Sequence, residues 1–229
     1  EIIKTAVVCV TLVPIRLALL LIVAIVLGAT LCVHSCCCRK AVRRRRRCCD
    51  RVVVGVMRGA FRVTLFALGF MWVRVRGGLA QPRPPATVSN HLSFLDALVF
   101  GYLLGPAFVA KESLMHLPVV GSALEALDCV LVPQREKQHR HLSEVVAKRL
   151  KEAASDMSVP LVHIFPEGTT SNGTHILKFH RGAFVAGVPV QPALIRYPFS
   201  HMALSWETVP SMVYMFRALT QVYHGVHVT

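Results

Sequence analysis

The sequence predicts an α/β domain, with a mixed sheet flanked by helices, preceded by an N-terminal membrane helix and an amphipathic interfacial helix. Two long apolar segments lie within the first 80 residues, and beyond them short apolar runs alternate with helical stretches. The hydrophobic content of 54% and the mean hydropathy of +0.52 are high for a soluble protein. A chain of 229 residues has room for one such domain in addition to a membrane segment.

The first apolar segment covers residues 5–33 and is interrupted by Pro14 and Arg16. Residues 17–33 carry no charge, which is at the short end of the length that crosses a bilayer, about 17–25 residues. A cleaved signal peptide is the alternative, but its apolar core usually holds about 7–15 residues before a small-residue cleavage site. We therefore predict a transmembrane anchor over residues 1–38.

A dense basic block at residues 39–51 follows the anchor and contributes much of the formal net charge of +14. Such a block binds nucleic acid or anionic lipid. Its position beside an apolar segment favours lipid, and the lack of interleaved aromatic residues argues against single-stranded nucleic acid. The excess of positive charge predicts that this side of the membrane is the cytosol.

The second apolar segment, residues 52–73, carries Arg58 and Arg62, which form one stripe with Arg51 on a helix. This pattern favours a helix lying in the bilayer interface over a second crossing. Residues 39–80 are therefore predicted to hold the basic block and an amphipathic, membrane-associated helix.

The third predicted unit is residues 81–229, which begin with a proline-rich linker. Two stretches with helical spacing, residues 96–104 and 136–156, alternate there with short apolar runs. The runs predicted as strands are residues 86–89, 107–110, 129–132, 161–165 and 190–196. Because the chain begins with Glu1, we expect a fragment or a processed form, in which this domain could continue beyond Thr229.

The most informative polar residues are His91 and Asp96, within the run NHLSFLD at residues 90–96. Histidine suits a general base because the ordinary pKa of an imidazole lies near neutrality, and a carboxylate on its far nitrogen fixes the tautomer. Positions five apart diverge on a regular helix. The two side chains therefore meet only if His91 lies in a turn before a helix and Asp96 in its first turn, with Asn90 and Ser93 as candidate caps. The alternative is a surface histidine followed by an acidic residue that stabilises a helix N-terminus.

A second polar motif, FPEGTT at residues 165–170, follows the apolar run that we predict as a strand. Pro166 and Gly168 end the strand and allow the backbone to approach a ligand closely. Glu167 would then lie at the carboxyl end of the strand, where open α/β sheets bind substrates. The alternative is an ordinary turn with a solvated glutamate.

The order and spacing of these two motifs resemble motifs one and three of the glycerolipid acyltransferases, which move a fatty acyl group from acyl-CoA to a glycerol hydroxyl. The runs TLVPIRL at 11–17, KFHRGAF at 178–184 and VPVQP at 188–192 are similar to those of the lysophosphatidylcholine acyltransferase branch. The resemblance implies that residues 81–229 form the catalytic domain.

The resemblance also assigns expected roles to individual residues. His91 and Asp96 would be catalytic, whereas the other expected site residues would bind substrate. Of these, Arg135 lies one residue later than the family's phosphate-binding arginine, and any of the three basic residues could instead be a solvated surface charge. The expected substrate-binding residues are Glu167, Gly168, Thr169, Arg135, Lys111 and Arg181.

The expected reaction is acyl transfer from acyl-CoA to a lysophospholipid, with lysophosphatidylcholine as the first candidate acceptor. His91 would take the proton of the free hydroxyl, Glu167 would hold the glycerol or shape the pocket, and backbone donors near Gly168 would stabilise the oxyanion. Acyl-CoA is a co-substrate, and no cofactor or metal is expected because the cysteines lack the paired spacing of a zinc site.

The expected partners are acyl-CoA, lysophospholipid and the lipid bilayer, and not nucleic acid. The expected location is the endoplasmic reticulum membrane, with the catalytic domain facing the cytosol. Three alternatives remain open: a lysophosphatidic acid or glycerol-3-phosphate acyltransferase, a membrane serine hydrolase using Ser89 or Ser93, and a non-catalytic lipid-binding membrane protein. Neither serine lies in a Gly-x-Ser-x-Gly turn.

Overall fold

The computed structural model describes residues 2–38, 43–117, 119–133, 139–198, 204 and 210–229. Two long helices come first, α1 (Ile2–Cys38) and α2 (Arg43–Ala67), and they pack against each other. Within α1, Val7–Cys36 is long and apolar enough to cross a membrane.

A five-stranded sheet forms the centre of the α/β domain. All neighbouring strands are parallel, so their carboxyl ends lie along one edge. Four of the five strands fall within the apolar runs that predict them, and the strand predicted at 107–110 continues to Lys111. The run 190–196, predicted as one strand, forms two, 190–193 in this sheet and 195–196 in a second sheet. The strands of this sheet are β2 (Ala86–Ser89), β3 (Ala107–Lys111), β4 (Val130–Val132), β5 (Val162–Ile164) and β6 (Val190–Ala193). Across the sheet they lie in the order β4-β3-β5-β2-β6.

Helices flank this sheet and supply two apolar layers. In one layer, Leu150 of α5 packs with Val162 of the sheet. In the other layer, Phe100 of α3 packs with Met57 and Leu65 of α2. The fold class predicted from the sequence is therefore confirmed: an α/β domain follows an N-terminal apolar helix. The helices of the domain are α3 (Leu95–Leu104), α4 (Val120–Ala126), α5 (His139–Ser155) and α6 (Ser211–Thr220).

A second, three-stranded sheet gives the fold its mixed character. It contains β1 (Phe70–Val75), β8 (His224–Val228) and β7 (Ile195–Arg196), in the order β1-β8-β7. β1 is parallel to β8, whereas β7 is antiparallel to it. The expectation that the helix continues to residue 73 is wrong, because the chain turns at Gly69, whose φ of +93° few other residues adopt.

Two arginines of the stripe predicted on α2, Arg58 and Arg62, bond to carbonyl groups of other elements. Arg58 donates to the carbonyls of Tyr102 and Leu103 at 2.8 Å each, which satisfies the carboxyl end of α3. Arg62 donates to the carbonyl of Met71 at 2.8 Å. These bonds fix α2 to the α/β domain.

Arg16 of α1 makes similar contacts. It is only 6% exposed and donates to the carbonyls of Leu219, Gln221 and Val222, just where α6 ends. The cost expected for a deeply placed arginine is offset, because the carbonyls at a helix end lack partners within the helix and carry partial negative charge.

Candidate active site

His91 and Asp96 meet in the loop between β2 and α3. His91 Nδ1 lies 2.9 Å from Asp96 Oδ2, and Asp96 is in the first turn of α3, as the sequence predicts. The same oxygen accepts the backbone N–H groups of Leu92 at 2.6 Å and Ser93 at 2.9 Å. The loop is therefore folded around one buried carboxylate, which holds the histidine ring and the backbone beside it together.

The carboxylate determines which nitrogen of His91 is free. A carboxylate only accepts hydrogen bonds, so Nδ1 must carry the proton, and in the neutral ring Nε2 then has a free lone pair. The ring also stacks on Phe165, with 4.0 Å between centroids and 14° between planes. The side chain is 18% exposed. His91 is therefore oriented, reachable and able to accept a proton.

The second oxygen of Asp96 accepts the hydroxyl of Tyr197 at 2.5 Å. Burial, followed by the charge of Asp96, raises the pKa of Tyr197 well above its ordinary value, so this hydroxyl remains a donor. Tyr214 supports the same loop: its hydroxyl donates to the carbonyl of Leu204 at 2.7 Å and lies 3.0 Å from Ser93 Oγ. Burial raises the pKa of Tyr214 to about 12.

The two candidate caps behave differently. Asn90 is not a helix cap, because its side chain pairs with the N–H and the carbonyl of Ile195 at 2.9 and 3.0 Å. It thereby ties the loop between β2 and α3 to β7. Ser93 is not the N-cap either, since Phe94 holds that position, but Ser93 Oγ accepts the N–H of Leu95 at 3.3 Å.

Glu167 is buried and contacts the loop between β2 and α3. Its Oε1 accepts the N–H of His91 at 3.1 Å, and its Oε2 accepts the N–H of Leu177 at 3.2 Å. The sequence left two roles open for this residue, holding the glycerol or shaping the pocket. Since both oxygens face backbone donors, the geometry favours shaping the pocket.

Gly168 and Thr169 lie exposed in the turn after β5. Gly168 has a φ of +70°, and a Cβ there would come within 2.9 Å of the His180 ring. Its N–H donates to the carbonyl of Phe165 at 3.0 Å. This donor is therefore used within the turn, and the expected oxyanion contact does not come from the N–H of Gly168.

Lys111 and Arg181, two of the three basic residues expected to bind phosphate, do not contact this network within the described part of the chain. Lys111 is exposed at the carboxyl end of β3, on the same sheet edge as His91. Arg181 is exposed at the start of the 3₁₀ turn Arg181–Ala183. Arg135 lies outside the described residues. The proposed phosphate-binding roles of all three remain predictions.

His163 is a site residue that the sequence reasoning missed. It is fully buried in β5, with Nδ1 2.8 Å from Thr87 Oγ1 and Nε2 3.2 Å from Ser89 Oγ. Its ring stacks on Phe100 and meets the edge of Phe165, the ring on which His91 stacks. The signal was a histidine inside a strand that was otherwise apolar.

The environment of His163 keeps it neutral. Burial, and then the charge of His91, lowers the pKa of His163 to about 3. A serine hydrolase is disfavoured, because both candidate nucleophiles are buried and engaged, Ser89 with His163 and Ser93 with Tyr214.

Comparison with known proteins identifies the family. The family model described as Acyltransferase matches residues 73–196, which include all of the described site except Tyr197 and Tyr214. Lysophospholipid acyltransferase LPEAT1 of Arabidopsis thaliana is 35% identical over 77% of this chain and 51% of that protein. Lysophosphatidylcholine acyltransferase 1 of Danio rerio is 34% identical over 66% of this chain and 29% of that protein.

The chain therefore spans about half the length of the first relative and less than a third of the second. A solved structure shares the fold: 1-acyl-sn-glycerophosphate (LPA) acyltransferase, PlsC, from Thermotoga maritima. Its TM-score is 0.58 at 21% identity, and the match covers 93% of this chain and 83% of that one. From the family match and these relatives, the chain belongs to the glycerolipid acyltransferase superfamily.

Proposed function

We propose that this protein transfers a fatty acyl group from acyl-CoA to the free hydroxyl of a lysophospholipid. The observation that carries the proposal is the orientation of His91, whose Nδ1 is held by the buried Asp96 carboxylate while the ring remains partly exposed. A fixed, reachable imidazole nitrogen is what proton abstraction from an alcohol requires.

In the proposed reaction, His91 Nε2 takes the proton of the glycerol hydroxyl as its oxygen attacks the thioester carbon. The resulting imidazolium is stabilised by the negative charge of Asp96. The tetrahedral intermediate then collapses, the C–S bond breaks, and the departing CoA sulfur receives the proton from Nε2. The products are the phospholipid ester and CoA, and His91 returns to its neutral state.

The surrounding residues act by position. Glu167 joins the loop of His91 to the loop of Leu177, so that the two move together. Phe165 fixes the plane of the imidazole, and the buried His163 supports Phe165 from the sheet side. Lys111, Arg135, Arg181 and the turn at Gly168–Thr169 stand as candidate contacts to substrate.

The apolar helices would bind the protein to the membrane that holds its substrate. α1 touches the α/β domain at two separated places: Arg16 bonds to the end of α6, and Leu31 and Cys32 share a cavity with Val119 and Ser122 near α4. Sixteen residues of helix span roughly 24 Å, which is close to the bilayer core of about 30 Å. A crossing helix would draw the α/β domain into the lipid.

These contacts favour an α1 that lies in one leaflet, in place of the crossing anchor expected from the sequence. Tags at the two chain ends would then lie on the same, cytosolic, side of the membrane. In sealed microsomes, protease should remove both tags without detergent. Protection of only one tag would show a crossing.

The head group is proposed from the named relatives. The two lysophospholipid acyltransferases favour a lysophospholipid acceptor. We take lysophosphatidylcholine as the first candidate and the endoplasmic reticulum as the location.

Thiol release from acyl-CoA by the purified protein tests the reaction class. A transferase releases CoA only when an acceptor is present, a hydrolase releases it without an acceptor, and a lipid-binding protein releases none. A panel with choline, ethanolamine and phosphate head groups then identifies the acceptor. Release that does not depend on any lysophospholipid would contradict the proposal.

A further inference from the structure

A cleft of about 660 Å³ lies between the two sheets, beside the β2–α3 loop that holds His91. One wall comes from the three-stranded sheet and includes Arg74, Arg196 and His227. The opposite wall includes Ser89 and Asn90, which immediately precede His91 in the chain. The cleft therefore opens next to the proposed base, although neither His91 nor Asp96 lines it.

The basic side chains of this cleft form a row across three strands. Arg74 of β1 is in register with His227 of β8, and His227 is in register with Arg196 of β7. Residues in register on neighbouring strands project from the same face of a sheet. Arg76, two positions after Arg74, also lines the cleft. Arg74, Arg196 and His227 are far apart in the sequence, and only the topology brings them together.

The charges in this row are not neutralised by neighbouring carboxylates. Arg74, Arg76 and Arg196 are all exposed, and none takes part in an ion pair within the described part of the chain. Like charges this close repel one another. Such an arrangement costs stability unless an anion binds between them, and this cost points to a ligand with several negative charges.

We infer that this cleft binds the phosphate groups of the CoA part of the acyl donor. The inference rests on the proposed function, because it takes acyl-CoA as the donor. CoA carries a diphosphate and a 3′-phosphate, which match the three arginines that line the cleft, Arg74, Arg76 and Arg196. A guanidinium grips phosphate through two parallel hydrogen bonds.

The other candidate source of phosphate is the lysophospholipid, and the charge balance disfavours it. A choline or ethanolamine head group is zwitterionic, so its cation would meet the same arginines and be repelled. The cleft also offers the apolar side chains of Ile176 and Phe179, which suit the less polar parts of the CoA arm. Both lie in the segment that Glu167 ties to His91 through Leu177. A donor bound here would therefore lie against the segment that is joined to the base.

Calorimetric binding of CoA and of 3′-dephospho-CoA to the purified full chain tests this inference without requiring turnover. Arg74→Gln and Arg196→Gln should each weaken CoA binding by about tenfold or more, as for the loss of one charge-assisted contact. The wild-type protein should prefer CoA to 3′-dephospho-CoA. Lys151→Gln, an exposed charge on α5, is the matched control and should bind CoA like the wild type.

Steady-state kinetics identify the source of the phosphate. Both arginine variants should raise the KM for acyl-CoA several-fold and leave the KM for lysophospholipid unchanged. A rise in the lysophospholipid KM alone would assign the cleft to the acceptor and overturn the inference.

The two hypotheses can fail separately. Acyl transfer together with CoA binding that neither arginine variant affects would overturn the inference and leave the proposed function in place. CoA binding that depends on Arg74 and Arg196 without any acyl transfer would overturn the proposed function and leave the cleft as a CoA site.

Discussion

Asp96→Asn tests whether Asp96 acts through its charge or by selecting the tautomer of His91. The two oxygens of Asp96 have different neighbours. Oδ2 accepts three N–H groups, from the His91 ring, Leu92 and Ser93, whereas Oδ1 accepts the hydroxyl of Tyr197 as its one donor within the described residues. An asparagine must therefore place its oxygen at Oδ2, because an amide NH₂ there would face two fixed backbone donors.

In this orientation the asparagine still accepts from His91 Nδ1. The NH₂ of the asparagine then faces the Tyr197 hydroxyl, which can rotate and accept a hydrogen bond from it. The hydroxyl proton no longer has an acceptor, which costs about 1 kcal/mol. The tautomer of His91 is kept, contrary to the expectation from the usual triad, in which the amide inverts it. The variant loses only the negative charge that stabilises the imidazolium.

The size of this loss follows from the geometry. With the charge centres about 4 Å apart and an effective dielectric constant of ~20, the attraction is worth about 4 kcal/mol. The amide dipole retains part of it, so kcat should fall by roughly 10²–10³-fold. The melting temperature should change little.

Asp96→Ala is the matched comparison, because it removes the acceptor for the N–H groups of Leu92 and Ser93. Each buried donor left unpaired costs about 1–3 kcal/mol of the free energy of unfolding. Thiol-release kinetics and thermal unfolding in the same detergent compare the two variants. The reasoning is refuted if Asp96→Asn loses much more than roughly 10³-fold in kcat, or if it unfolds as readily as Asp96→Ala.

Three other predictions concern residues around the pair. Glu167→Gln should reduce both activity and stability, because each Glu167 oxygen faces a backbone N–H and an amide NH₂ fits neither position; unchanged melting and turnover would contradict this. Tyr197→Phe should cost about 1.5–3 kcal/mol in unfolding free energy by removing a donor to a buried carboxylate, and an equal urea midpoint would oppose it. His163→Gln should lose less unfolding free energy than the wild type when the pH falls. Burial lowers the pKa of His163 from 6.5 to about 3, so its contribution is complete above pH 6.5 and is lost as the pH falls toward 3. This contribution falls by roughly 1 kcal/mol per pH unit. The prediction is contradicted if the urea midpoints of the variant and the wild type change equally between pH 7 and pH 5.

The positions of the five central strands could be predicted from the sequence because each is a short apolar run bounded by turn residues. The prediction of a mixed sheet did not specify that all five are parallel. The contact between His91 and Asp96 could also be predicted, because it is local. β1 could not, because Phe70 and Met71 continue the apolar pattern of α2 and the break depends on the positive φ of Gly69.

The remainder of the site depends on contacts between distant parts of the chain. Tyr197 reaches Asp96 across 101 residues, and Tyr214 reaches Ser93 across 121. Arg16, Arg58 and Arg62 donate to carbonyls of other elements, which no local pattern in the sequence reveals. The backbone partners of Glu167 are non-local in the same way, so the sequence left its two candidate roles open.

The most direct test of the central claim follows labelled acyl groups from acyl-CoA into phospholipid, using the purified wild-type protein and His91→Ala side by side. The wild type should form diacyl phospholipid only when lysophospholipid is present, and His91→Ala, folded as judged by its melting curve, should lose about 10²–10⁴-fold in rate. Near-normal formation of labelled phospholipid by a folded His91→Ala would contradict the account.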